Sequence, residues 1–222
     1  MEDHDLAPLT TLWVTPDLGL NAVPDTEQLT NKPLLILLHG YGSNERDLAG
    51  LAPYLPSELN IVSLRAPLTM QPGSYTWFPI GQPGNPDPAV VDIPVQQLLA
   101  WIDEAILPHQ PSSIGLLGFS MGGALTIQLM RYRPEQFSYG VNLSGFSVSG
   151  VAHPDAAPAS INAPLFWGYD VADPVIVGAA RRRTAEFLPT FFDVTERQYV
   201  ALGHSVSREE LADVSEFIQQ HL

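Results

Sequence analysis

Apolar positions along the chain fall into two alternating patterns. The first is the short continuous run. Residues 34–38 read LLILL, and residues 60–64, 113–118, 139–143, 164–168 and 194–202 are read as further strands. A strand buried on both faces of a sheet needs such a run. The second is helical spacing. Residues 44–55 place Leu48, Leu51, Ala52 and Leu55 on one face, and residues 93–107 align Val95, Leu98, Leu99, Ile102 and Ile106. Residues 121–132 align Leu125, Leu129 and Tyr132, and residues 175–188 form a further helix. Asp92 is read as the N-cap of the 93–107 helix, with Pro94 in its first turn. Ser207 opens the last helix with Glu210 three residues on, a capping-box signature, before Leu211, Val214, Phe217 and Ile218.

Strands alternating with helices predict crossover connections, and so an α/β fold with a mostly parallel central sheet covered by helices on both faces. No repeat, low-complexity tract or linker interrupts the pattern, so residues 1–222 are expected to form a single domain. Ligands of such sheets bind beyond the carboxyl ends of the strands. The polar residues just past strands are His39-Gly40, Ser120, the Asp170–Asp173 stretch and His204.

Composition narrows the chemistry. The chain has no cysteine, which excludes a thiolate nucleophile, a disulfide and a Cys-ligated metal. Its formal net charge is −14, a surface that repels nucleic-acid phosphates and anionic lipid heads. The one basic cluster, Arg181 to Arg183, spreads around a helix and reads as a solvated face. The amino terminus is acidic where a signal peptide is basic, and no apolar stretch reaches the roughly 18 residues of a membrane span. The expectation is a cytoplasmic protein without stable membrane insertion or a nucleic-acid partner. A homodimer is left open.

The stretch Gly118-Phe119-Ser120-Met121-Gly122 fits G-x-S-x-G between a strand and a helix. Chemistry gives this pattern a reason: a sharp strained turn exposes the hydroxyl, and close packing of strand and helix excludes side chains at the flanking positions. A serine needs a base. Among the histidines, His4 and His221 are terminal, His109 follows a helix and His153 sits in a Pro/Ala-rich loop. His204 follows the last strand in ALGHS and is the candidate. An acid between them in sequence should orient it. Asp170 and Asp173 both qualify, whereas Asp155 and Asp193 do not follow a strand as cleanly. Pro174 favours Asp173, and Asp170 stays in play. The Met121 amide and the Tyr41 amide, in the His39-Gly40-Tyr41-Gly42 loop, are the candidate donors to an oxyanion. His39 is expected to hold that loop. Residues 65–92 show no secondary-structure pattern. Their aromatics Trp77 and Phe78 either wall a substrate pocket or pack as a satellite core.

These segments resemble the small phospholipase/carboxylesterase family of the α/β-hydrolase superfamily, which includes the acyl-protein thioesterases. The matching stretches are LLHGYGSNERDL, the RAP and TWF segments, GFSMGG, LSGF, DPVIV and LGH before a terminal helix. The chain departs from the family pattern at Val177, where proline is usual, and in a longer spacer before Asp173. The resemblance implies an α/β-hydrolase fold without a large cap domain. It implies Ser120 as nucleophile, Asp173 as orienting acid, His204 as base, Tyr41 and Met121 as oxyanion donors, and Trp77 and Phe78 lining the substrate cleft. The implied activity is hydrolysis of carboxylic esters with small to medium acyl chains, needing no metal or cofactor. The alternatives are an acyl-protein thioesterase or lysophospholipase, or a non-catalytic binding protein on the same fold.

Overall fold

The computed structural model describes residues 9–16, 19–20, 23–82, 84–148 and 162–222; His4, His153 and Asp155 lie outside them. In chain order the elements are β1 (Thr10–Thr15), β2 (Gly19–Leu20), α1 (Thr26–Leu29), β3 (Pro33–Leu38), α2 (Glu45–Ala49), β4 (Asn60–Arg65), β5 (Leu68–Gln71), β6 (Ser74–Thr76), α3 (Pro88–Ala105), β7 (Ser113–Phe119), α4 (Met121–Tyr132), β8 (Tyr139–Leu143), β9 (Ala163–Tyr169), α5 (Gly178–Phe187), β10 (Phe192–Gln198) and α6 (Arg208–Gln219).

Among the described residues, eight strands form one sheet in the order β10-β9-β8-β7-β3-β4-β1-β2. The strands from β4 to β10 in that sheet pair in parallel, and β1 and β2 close its other edge antiparallel. Period-two alternation splits the apolar strands between two cores. In β3, Leu34, Ile36 and Leu38 pack with α3 and α4, represented by Val95, Leu98, Ile102 and Ala124. Leu35 and Leu37 face the other way, toward Leu48 of α2 and Val214, Phe217 and Ile218 of α6. This is the mostly parallel sheet covered on both faces that the pattern predicts, and it matches the α/β-hydrolase fold that the resemblance implies, with no large cap domain among the described residues. No described helix is long and apolar enough to cross a membrane.

Several boundaries differ from the sequence reading. The 93–107 helix starts earlier, at Pro88. Asp87 caps it by accepting from the Ala89 amide at 2.9 Å, and Pro88 supplies the preset first turn. Asp92 is therefore inside the helix, where it accepts from the Tyr132 hydroxyl. Pro94 is buried within the helix. Helix α2 is short and gives way to a 3₁₀ turn at Ala52–Tyr54. The last strand ends at Gln198 rather than 202. Within the featureless 65–92 segment, β5 and β6 form a hairpin, and every β5 residue is exposed, so no apolar pattern marks it.

The capping box on α6 forms by half. Ser207 Oγ accepts from the Glu210 amide at 3.1 Å, but the Glu210 carboxyl turns inward. It is buried, neither oxygen has a partner among the described residues, and it packs on Gly168 of β9, where an added Cβ would lie 2.2 Å from Oε1. Burial pushes its pKa up to about 8. The folded state thus holds a proton that the unfolded chain has released. Its stabilising effect is complete below the ordinary carboxyl range and is lost as pH rises toward about 8. Glu210→Gln should match the wild type near pH 4.5 and be the more stable form near pH 9. Denaturation midpoints across that range check this, and parallel pH curves for the two proteins would refute it.

Candidate active site

The carboxyl ends of β3, β7, β9 and β10 bring the predicted polar residues to one place. At the end of β7 the chain turns through Ser120 with φ 53° and ψ −112°, the left-handed half of the map where a side chain is strained. Two contacts hold the bend. The Ser120 amide donates to Leu143 O of β8 at 2.8 Å, and Ser120 O accepts from Ala124 N at 3.1 Å to start α4. The flanking glycines are demanded by approach distance. A Cβ on Gly118 would sit 2.1 Å from Gly122 O, and one on Gly122 would sit 1.9 Å from Leu38 O. Strand, helix and the neighbouring strand β3 therefore meet backbone to backbone. The Ser120 side chain makes no capping bond to its own helix. Instead its Oγ lies 2.9 Å from His204 Nε2.

His204 stands in the loop after β10, beside the Phe119 ring at a centroid distance of 4.9 Å. Its Nδ1 lies 2.7 Å from Asp173 Oδ2. The other Asp173 oxygen accepts from the Val175 and Ile176 amides at 2.7 and 3.0 Å. The carboxylate is thus fixed on both sides, and its side chain is almost wholly buried. The rival Asp170 bonds elsewhere: Oδ1 accepts from the Ala172 amide at 2.7 Å and Oδ2 from the Gly203 amide at 2.8 Å. These backbone amides, Ala172 first, hold its pKa below the usual carboxylate range. Asp170 ties the loop after β9 to the residue preceding His204.

Arg181 was read from sequence as part of a solvated face. It donates instead to the Val171 and Ile176 carbonyls, bracing the loop that carries Asp173. Arg183 donates to Gly84 O at 2.7 Å. No sequence signal marks either role, because both partners are backbone carbonyls in loops without a pattern.

The loop after β3 is held by its histidine. His39 is fully buried; its Nε2 accepts from the Ala66 amide at 3.0 Å and its Nδ1 donates to Gly40 O at 2.7 Å. Burial lowers its pKa and keeps it neutral, with both nitrogens engaged. Gly42, at φ 78°, donates to Tyr75 O at 2.9 Å, and Tyr75 returns a bond to Ser43 O at 2.9 Å. The hairpin β5–β6 thereby pins the Tyr41 backbone beside Ser120. Glu45 and Arg65 add a two-pronged ion pair at 2.6 and 2.5 Å behind the loop.

A cavity of about 320 Å³ opens over Ser120 and His204. Its walls are mostly apolar, from Ile80, Phe119, Phe146, Val175 and Ile176, with Tyr41 and Met121 also on the lining. Trp77 and Phe78 are a correction: both are buried in the core on the α3 and α4 side and are not among the lining residues. The Trp77 indole donates to His39 O at 2.9 Å, so its polar atom supports the loop rather than facing a ligand. From the same segment, Ile80 and Gly84 reach the cavity instead. Among the described residues no group of three His, Asp or Glu side chains is placed to hold a metal ion.

The close contacts predict that Gly122→Ala is destabilised by about 1–3 kcal/mol, since Leu38 O is backbone and cannot step aside cheaply. Urea unfolding of that variant beside Ala124→Gly checks it. A Gly122→Ala midpoint equal to the wild type would show that strand and helix are not so tightly apposed.

Comparison with known proteins identifies the family and the fold. The phospholipase/carboxylesterase family model matches residues 22–222. The chain is 31% identical over 155 residues to a probable carboxylesterase of Oryza sativa subsp. japonica, a match that spans 66% of this chain and 58% of that protein. It is 30% identical over 216 residues to acyl-protein thioesterase 1 of Debaryomyces hansenii, spanning 86% of this chain and 92% of that one. The crystal structure of the Bacillus cereus carboxylesterase superposes with a TM-score of 0.76 at 22% identity, over 97% of this chain and 96% of that one. The chain belongs to the phospholipase/carboxylesterase family, carboxylic ester hydrolases built on the α/β-hydrolase fold.

Proposed function

We propose that Ser120, His204 and Asp173 act as a catalytic triad for the hydrolysis of carboxylic esters or thioesters with small to medium acyl chains. The observation that carries the reading is the continuous chain from Ser120 Oγ through both His204 nitrogens to Asp173, at 2.9 and 2.7 Å. The chain-length reading rests on the cavity, whose volume of about 320 Å³ lies at the small end of ligand pockets.

In this mechanism Ser120 Oγ attacks the acyl carbonyl as His204 Nε2 takes the hydroxyl proton. Asp173 holds the imidazole with its proton on Nδ1 and stabilises the imidazolium that forms. The carbonyl oxygen becomes an oxyanion. The Met121 amide is suited to receive it, because a first-turn amide has no partner inside its own helix. The positive end of α4 adds to the attraction. The Tyr41 amide on the braced loop is the second donor. Collapse breaks the bond to the alcohol or thiol, which takes the proton from His204. Water then attacks the acyl-enzyme, giving its proton to His204, and the carboxylic acid leaves with Ser120 restored. No step calls for a cofactor.

Two substitutions test the assignment of the acid. Asp173→Asn should lower kcat on a short-chain p-nitrophenyl ester by about four orders of magnitude while folding normally. Asp170→Asn should act more mildly, since it weakens a loop tie without touching the imidazole. The reverse order of effects would transfer the role to Asp170. Equal, small effects would remove the triad altogether.

A further inference from the structure

We infer that Asp47 makes this site selective for substrates whose alcohol or thiol part carries a positive charge. The inference rests on the hydrolase reading above and adds to it the charge of the leaving group. The cavity has two unlike walls. One is apolar, formed by Ile80, Phe146, Val175 and Ile176, and suits an acyl chain. The other is formed by Ser43 of the braced loop after β3 and Asp47 of α2. Ser43 Oγ donates to Asp47 Oδ2 at 2.7 Å, which fixes the carboxylate and leaves Oδ1 available. No Lys or Arg stands among the described lining residues: Arg65 is committed to Glu45, and Arg46, next to Asp47 in α2, is exposed and outside the lining. No Lys or Arg on the described cavity wall therefore offsets the Asp47 carboxylate.

Two consequences follow from electrostatics. A cation on the leaving group gains attraction from Asp47 in the bound state, and an anionic leaving group is repelled. The formal net charge of −14 biases approach in the same direction. Local and global effects can be separated, because removing one remote acid changes net charge by the same amount as removing Asp47. Asp47 is exposed, so the expected size is that of an exposed ion pair, a factor of about two to five in relative rate.

The test uses two isosteric substrates with the same acyl group, a choline ester and a 3,3-dimethylbutyl ester, which differ only in charge. The readout is the ratio of kcat/KM values, cationic over neutral. The wild-type ratio should exceed one. Asp47→Asn should lower it about two- to fivefold, Asp47→Glu should restore it, and Glu104→Gln on the distant face of α3 should leave it unchanged. An equal ratio in wild type and Asp47→Asn overturns the proposal. So does an equal fall in Glu104→Gln, which would assign the preference to the field of the whole chain. Failure of the hydrolase reading looks different: neither ester would be cleaved, or Ser120→Ala would cleave both as fast as the wild type, and both readings would fall together.

Discussion

The bend at Ser120 depends on the absence of two side chains. Gly118 and Gly122 let β7, α4 and β3 approach until backbone touches backbone, and a methyl group at either position would overlap a carbonyl by more than 1 Å of normal contact. That approach forces the left-handed turn, points Oγ away from its own helix, and sets the first-turn amides of α4 behind it. A strained residue of this kind persists only where the surroundings over-determine it. Here the bonds from Ser120 to Leu143 and Ala124 do so.

The partners of the serine come from loops, and loops need their own supports. The support is largely backbone hydrogen bonding. Asp170 spans from the loop after β9 to Gly203, Arg181 gathers two carbonyls around Asp173, and the hairpin β5–β6 bonds to the loop of Tyr41. His39 and Trp77 fix the same loop from below, with every polar ring atom paired. The result is a candidate site with few polar side chains at its centre, held by residues spread over several loops, the hairpin β5–β6 and helix α5.

The sequence made the frame legible where burial and periodicity coincide. Strands β3, β7 and β8 are mostly apolar and lie within a residue or two of their predicted spans, and α4 lies at its predicted bounds. Ser120, His204 and the Asp170–Asp173 stretch stand out because ligands of an α/β sheet bind past its strand ends, and the fold brings Ser120, His204 and Asp173 into contact. What stayed hidden has physical causes. Strand β5 is exposed on both faces, so no apolar alternation marks it. Asp87 and Asp92 are equivalent caps by composition, and only the position of Pro88 separates them. Trp77 and Phe78 suit either a wall or a core by pattern, the resemblance alone puts them in the cleft, and burial depth, which decides it, is a tertiary property. Asp170 and Asp173 both reach the loop after β10, one at the Gly203 amide and the other at the His204 ring, a difference of one residue that only the tertiary structure decides. Arg181 and Arg183 bind carbonyls, which leave no trace in side-chain pattern.

In the proposed mechanism the atom that takes the acyl group is Ser120 Oγ. Covalent trapping tests it most directly. The folded protein would be treated with a fluorophosphonate and digested, and the modified residue located by mass spectrometry. The account predicts one adduct per chain, on Ser120, with loss of esterase activity in proportion to labelling. An adduct on another residue, or full loss of activity with Ser120 unmodified, would contradict it.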